Sequence, residues 1–308
     1  MASVVVMWGL GPPITKLISA PALVAVSLRF WFSAPLVVGM LYASGRRLSP
    51  EVLRRTVVPG AIFALNLALI FVALKHASVA VITVTQSLQP GVVLLVAGRW
   101  LGERPTRWHV AWTLVGLAGV LVVVAGGNPE VRGDALGIAC AVGSMLSFTA
   151  YYVINRRVRF THDINPTDWI AGIMLFAAIA ITPVALLSSS VDDYRQVGGA
   201  DWLYLAFVGG ITGIIGHTLM SWVHKFIPAS RSSLYLLGMN VVAVSAAWPL
   251  HDEPVTLVQA LGGAVVLGAV AAVVTRPASI RVVEPTGADA PGGPGPTPSD
   301  VPVPSTTA

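Results

Sequence analysis

The sequence predicts an all-α polytopic membrane protein with ten transmembrane helices. Ten long apolar runs fill residues 1–275, with charge confined mainly to the gaps between them. A bilayer core asks for about 20 apolar residues per helix. Composition agrees: 55% of the 308 residues are hydrophobic, 11% are charged, and mean hydropathy is +0.77. A soluble core has no room for that much apolar surface.

The predicted spans, in order, are 2–18, 22–43, 57–74, 79–97, 110–125, 135–154, 169–187, 202–223, 232–250 and 255–274. The first is short, which fits a slightly truncated start. It lacks a basic leading region and holds Pro12-Pro13, so it is not read as a signal peptide. The second carries one charge, Arg29, and the third one amide, Asn66. The fourth holds Gln86 and Gln89, three apart on one helix face. Spans five and ten are almost free of polar groups beyond Thr113, Thr256 and Gln259. Such helices have little reason to line an aqueous path, so both are placed at the periphery, facing lipid or a second subunit. A homodimer through spans five and ten follows as an option. The eighth span contains His217 and the small-residue series Gly209, Gly213, Gly216, which favours close helix approach. The ninth contains Asn240.

Charge asymmetry orients the bundle. With the N-terminus in the cytoplasm, fourteen Lys and Arg residues fall inside, among them Arg46-Arg47, Arg54-Arg55 and Arg156-Arg157 in short loops. Four fall outside: Lys16, Lys75, Arg132 and Arg195. The positive-inside rule therefore predicts both termini to be cytoplasmic, in the cytoplasmic membrane of a bacterium. Basic loops of this kind also argue against nucleic acid as a partner. Residues 276–308, rich in Pro, Gly, Ser and Thr, read as a disordered cytoplasmic tail. The one cysteine, Cys140, excludes an internal disulfide and reads as packing. With neither a Cys/His cluster nor a Gly-rich phosphate loop in view, no metal or other cofactor is expected.

Five spans per half is an odd number, so two homologous halves must lie inverted in the membrane. An offset of 150 relates Lys75 to Lys225, Pro90 to Asn240, Glu103 to Glu253 and Thr106 to Thr256. The expected units are a five-helix repeat over 1–126, a second over 134–275, and the tail. Trp8–Lys16 (WGLGPPITK), Val26–Val37 (VSLRFWFSAPLV), the stretch from Ala73 through LGERPT, FTAYYVINRR and PLHDEPVT resemble the EamA-type members of the drug/metabolite transporter superfamily. The resemblance implies a ten-helix permease of two inverted five-helix repeats around a central cavity, often exporting amino acids or other small metabolites.

Polar residues inside a bilayer are costly and mark function by default. Arg29 lies seven residues into its span, roughly 10 Å deep at the helical rise. It is either a structural group bonded to carbonyls or a fork that holds a carboxylate or phosphate. Asn66, Gln86, Gln89 and Asn240 are either interhelical glue or readers of a zwitterion or sugar. His217 is either hydrogen-bonded to a neighbouring helix or an optional proton carrier. Gly9, Gly11, Pro12 and Pro13 are expected to break or bend span one and so to gate it. Lys16, Lys75 and His76 read as solvated helix ends, with anion funnelling as the alternative. Glu103 and Glu253 read as helix anchors. All carboxylates fall at span ends, in loops or in the tail, which disfavours a glutamate-driven proton antiporter. The leading function is a secondary transporter of a small solute working by alternating access. A nucleotide-sugar or phosphorylated-sugar antiporter and a non-transporting scaffold or sensor stand behind it. An enzyme is not expected, because no nucleophile, metal ligands or paired acids assemble at one depth.

Overall fold

The structure, a computed structural model, describes residues 1–77, 82, 85–101, 106–126, 134–251 and 256–275. Among these, every regular element is helical: α1 (Ala2–Lys16), α2 (Ala22–Ala43), α3 (Pro50–His76), α4 (Gln89–Trp100), α5 (Arg107–Ala125), α6 (Ala135–Thr161), α7 (Pro166–Ser188), the short α8 (Val191–Arg195), α9 (Gly199–Phe226), α10 (Ala229–Tyr235), α11 (Gly238–His251) and α12 (Leu257–Thr275). Six helical segments are long and apolar enough to cross a membrane: α2, α3, α6, α7, α9 and the run Ala229–Leu250. Two shorter apolar helices, Arg107–Val122 and Leu257–Val273, add to them.

Several helices run past the ends that hydropathy suggests, because capping residues rather than apolar content set the boundary. Ser49 accepts from Val52 N–H at 3.2 Å and Pro50 opens the helix, so α3 begins at Pro50 instead of residue 57. Arg54 and Arg55 consequently sit on a helix. Asp134 caps α6 through Gly137 N–H at 2.7 Å. At the other end, α6 continues to Thr161 and not 154, which takes Arg156 and Arg159 out of the expected loop and buries both. Asn165 caps α7 ahead of Pro166.

Two expectations about helix continuity are corrected. α1 passes through Pro12 and Pro13 without a break. The two prolines remove the usual donors to the carbonyls of Trp8 and Gly9, yet the neighbouring turns hold. Conversely, the fourth and ninth spans are interrupted where hydropathy shows nothing, at Leu88 and at Leu236-Leu237. The bonds there span three residues, Leu88 N to Thr85 O and Met239 N to Leu236 O, and the chain resumes as α4 and α11. Within α9, Phe207–Gly216 is wound as a π-helix.

Close packing is made by glycine at defined crossings. A Cβ on Gly9 would lie 2.6 Å from Val242 Cβ and 2.8 Å from Met239 O, so α1 and α11 touch backbone to backbone. Gly60 does the same for α3 against Phe176 of α7. α5 and α12 pack on each other, with Gly119 against the Gly262 carbonyl, and Thr256 Oγ1 donates to Gly126 O at 3.0 Å. The main apolar core lies among α2, α3, α7 and α9, centred on Phe30, Phe63, Trp169 and Ile173. Trp31, Trp100, Trp202 and Trp222 stay exposed on the outside.

The bundle has two distinct polar ends. At one, Asp201 accepts from Ser19 N–H (2.8 Å) and Ser19 O–H (2.6 Å), Lys75 Nζ donates to Ile18 O (2.8 Å), and His76 meets Asp134 (2.9 Å). At the other, Arg46 pairs with Asp168 (2.7 Å) and Lys225 with Asp163 (2.6 Å). Lys75 and His76 are thus committed to partners at the bundle end. Glu103, Glu253 and the tail 276–308 lie outside the described residues.

Candidate functional site

A cavity of about 1070 Å³, counting its open mouth, lies among α1, α2, α3, the α4 segment, α6, α9 and α11. Arg29, Asn66, Gln86, Gln89, His217 and Asn240 all line it, although they come from five different predicted spans. Gly9, Gly11 and Pro12 line it too; Pro13 does not. Among the described residues, none from α5, α7 or α12 lines it.

Arg29 is 6% exposed on α2. Its Nη2 donates to Thr212 Oγ1 at 3.4 Å, a long bond, and its guanidinium lies 5.9 Å from the Phe71 ring centre. Among the described residues no carboxylate forms an ion pair with it. Thr212 spends its own hydroxyl proton on Val208 O at 2.6 Å, which leaves its oxygen free to accept. The π-helical winding matters here, because wide turns re-aim side chains and recur at functional sites. It brings Thr212 to Arg29 and lets the Thr212 carbonyl accept from the Trp8 indole N–H at 3.1 Å. Gly216 permits this: a Cβ there would stand 2.5 Å from Trp8 Nε1.

The amides are largely paired with one another's neighbours. Asn66 Nδ2 donates to both Ser144 O and Ser144 Oγ at 2.9 Å, and Gln86 Nε2 reaches Ser144 Oγ at 3.1 Å. Asn240 Nδ2 donates to Ser87 Oγ at 2.6 Å. Gln89 differs, with a buried Nε2 that has no partner. His217 sits in a cage of rings, 4.5 Å from Trp8 and 4.6 Å from Phe63 between centres, with Tyr151 O–H 3.4 Å from its Nδ1. Phe148 closes on Trp8 edge-on at 5.7 Å.

Ser87, Ser144, Thr212 and the aromatic wall of Trp8, Phe63, Phe71 and Phe148 therefore belong to the site and were not singled out by sequence. Serine and threonine are common in membrane helices, and aromatic rings there equally suit an interface belt. What the arrangement offers chemically is one guanidinium beside a broad apolar, aromatic surface. It suits a small solute with an anionic head and a flat or apolar body.

Comparison with known proteins bears on this geometry. Residues 1–125 and 135–275 match the EamA-like transporter family. The chain is 26% identical over 274 residues to an uncharacterised transporter of Archaeoglobus fulgidus, covering 87% of this chain and 94% of that one. It is 26% identical over 212 residues to the uncharacterised transporter YyaM of Bacillus subtilis, 67% of each chain. It is 33% identical over 177 residues to the aromatic amino acid exporter YddG of Ancylobacter novellus, spanning 55% of this chain and 56% of the exporter. A crystal structure of a protein 22% identical superposes with a TM-score of 0.73, covering 89% of this chain and 94% of that one, and shares the fold.

Proposed function

Because the chain belongs to the EamA-like transporter family, and is thus an integral membrane transporter and not an enzyme, we propose that it exports a small metabolite of the amino acid type by alternating access around the cavity. The observation that carries this is Arg29: a buried guanidinium at an aromatic cavity, whose partners among the described residues are a long bond to Thr212 and the Phe71 ring, offers a charge-assisted fork for a carboxylate. The aromatic wall suits an apolar side chain. The exporter YddG, named for aromatic amino acids, points the same way. A sugar-phosphate antiporter fits less well, because Asn66 and Asn240 spend their N–H groups on serines.

The architecture proposed with this function has ten spans in two inverted repeats, 1–126 and 134–275, with both termini in the cytoplasm of a bacterial cell. Three placements support it. The interruptions at Leu88 and Leu236-Leu237 fall in segments related by the 150-residue offset, and paired broken helices mark transporter sites. Lys75 and Lys225 lie at opposite ends of the bundle. Thr106 and Thr256 each cap the helix that follows, through His109 N–H and Gln259 N–H. The exposed apolar faces of α5 and α12, including Leu114, Leu121, Leu261 and Val265, face lipid or a second copy.

The test is counterflow in proteoliposomes of the purified chain, with labelled amino acids and sugar phosphates offered in parallel. Saturable exchange of apolar or aromatic amino acids is the expected result. Exchange of sugar phosphates alone would overturn the substrate reading.

A further inference from the structure

A second polar cluster lies at the end of the bundle away from Lys75 and Asp201, between the last turns of α6 and α9. Asn155, Arg159, Ser221 and His224 are 1%, 2%, 0% and 0% exposed. Each holds a buried polar atom with no partner: Asn155 Oδ1, Arg159 Nη1, Ser221 Oγ and both ring nitrogens of His224. Burying polar atoms unpaired is unfavourable, and most folded chains avoid it. Four such residues together are therefore a feature and not noise.

Structural bonding accounts for only part of the cluster. Arg156 donates to the His224 carbonyl. That carbonyl needs an outside donor, since the residue four further on is Pro228, which has no N–H. Arg156 thus caps α9. Arg159 uses only Nε in this way, on Ser221 O at 3.2 Å, and its Nη1 is left over. Among the described residues no carboxylate lies within ion-pairing distance of Arg159. Asp163, on the turn after α6, is taken by Lys225 at 2.6 Å.

We propose that Arg159, Ser221 and His224 form a second, oxyanion-binding site, for a carboxylate or phosphate, at the far end of a polar seam that begins at the cavity. Three contacts of α6 mark the seam: Ser144 lines the cavity, Tyr151 meets His217, and the Tyr152 ring stands edge-on to His224 at 4.4 Å. Arg159 Nη1, the Ser221 hydroxyl and a His224 ring N–H supply donors, and the guanidinium supplies the charge. Asn155 Oδ1 accepts from an N–H or O–H borne by the same ligand. The side chains close over one another here, so the oxyanion enters as α6 and α9 part. It comes from the aqueous phase or from an anionic lipid headgroup.

Equilibrium binding tests this without any flux, so its outcome is separate from that of the counterflow assay. The full chain in phosphatidylcholine nanodiscs is melted against increasing inorganic phosphate, with chloride holding ionic strength constant. A saturable rise in melting temperature is expected. Its half-maximal concentration should increase about tenfold in Arg159→Lys, which keeps charge but loses the fork, and should also increase in Ser221→Ala. Arg29→Gln should leave it in place. If phosphatidylglycerol nanodiscs raise the melting temperature and abolish the effect of added phosphate, the headgroup is the natural oxyanion. No saturable shift in the unmodified chain, an unchanged response in both Arg159→Lys and Ser221→Ala, or a response lost only in Arg29→Gln would each overturn the proposal. Should Arg159→Lys fail to fold, Ser221→Ala decides alone.

Discussion

Arg29 is the residue on which the substrate reading turns, and its surroundings make both of its possible roles measurable. A structural arginine in a membrane normally saturates its donors on carbonyls or a carboxylate. Here the described partners are Thr212 Oγ1 at 3.4 Å and the face of Phe71, too little to anchor a guanidinium at 6% exposure. Arg29→Lys should therefore weaken solute affinity by roughly tenfold to a hundredfold, the value of about 1.5–3 kcal/mol for a charge-assisted bond. Arg29→Gln should weaken it further, and both should leave the melting temperature close to that of the parent. Affinity and melting measured on the same preparations separate the roles: unchanged affinity with a collapsed melting temperature would remove Arg29 from the site. Ser144 illustrates the opposite case. It gathers Asn66 and Gln86 from two other helices, accepting from both at its hydroxyl oxygen, so it organises the amides.

At the scale of the helix, α1 is the element whose continuity departs most from expectation. Its double proline does not sever it, and its glycine is used for contact. A Cβ at Gly9 would collide with Val242 Cβ at 2.6 Å and the Met239 carbonyl at 2.8 Å, and backbone cannot yield as a flexible side chain can. Gly9→Ala should push α1 away from α11 and destabilise the folded chain by about 1–3 kcal/mol, the usual range for overpacking. A thermal melt of the purified variant checks this. Gly11, whose Cβ would only graze Thr212 at 3.9 Å, should tolerate alanine with little change in melting temperature. If Gly11→Ala nonetheless lowers counterflow, α1 gates through flexibility at Gly11; if both variants retain full flux and stability, α1 neither packs nor gates as described.

For the whole molecule, the two polar ends make orientation a single measurable fact. Ser19, Lys75, His76 and Asp134 share one end, while Arg46, Asp163 and Lys225 share the other. The proposed orientation, which rests on the basic bias, puts the second end in the cytoplasm. Reporter fusions after Gly126 and after Ser188 should read external, and fusions after Gly45 and after Arg276 internal. An external reading after Arg276 would reverse the C-terminal half and with it the inverted-repeat arrangement. If the fusions read as expected, the Arg159 cluster lies on the cytoplasmic side.

By itself the sequence determined the class of the molecule, since apolar length and charge placement answer to the bilayer alone and need no knowledge of packing. It also singled out Arg29, Asn66, Gln86, Gln89, His217 and Asn240, because a polar group in a lipid-spanning run stands out against its neighbours. Only the tertiary structure decided that those six face one cavity: they belong to segments far apart in the chain, and facing depends on how helices rotate about their axes as they pack. Only it separated Asn66, tied to Ser144, from Gln89, whose amide is unpaired. The π-helical turn in α9 and the burial of Arg156 and Arg159 on an extended α6 were likewise invisible in hydropathy. A winding defect leaves no mark on average polarity, and two arginines past an apolar run look like a loop until another helix covers them.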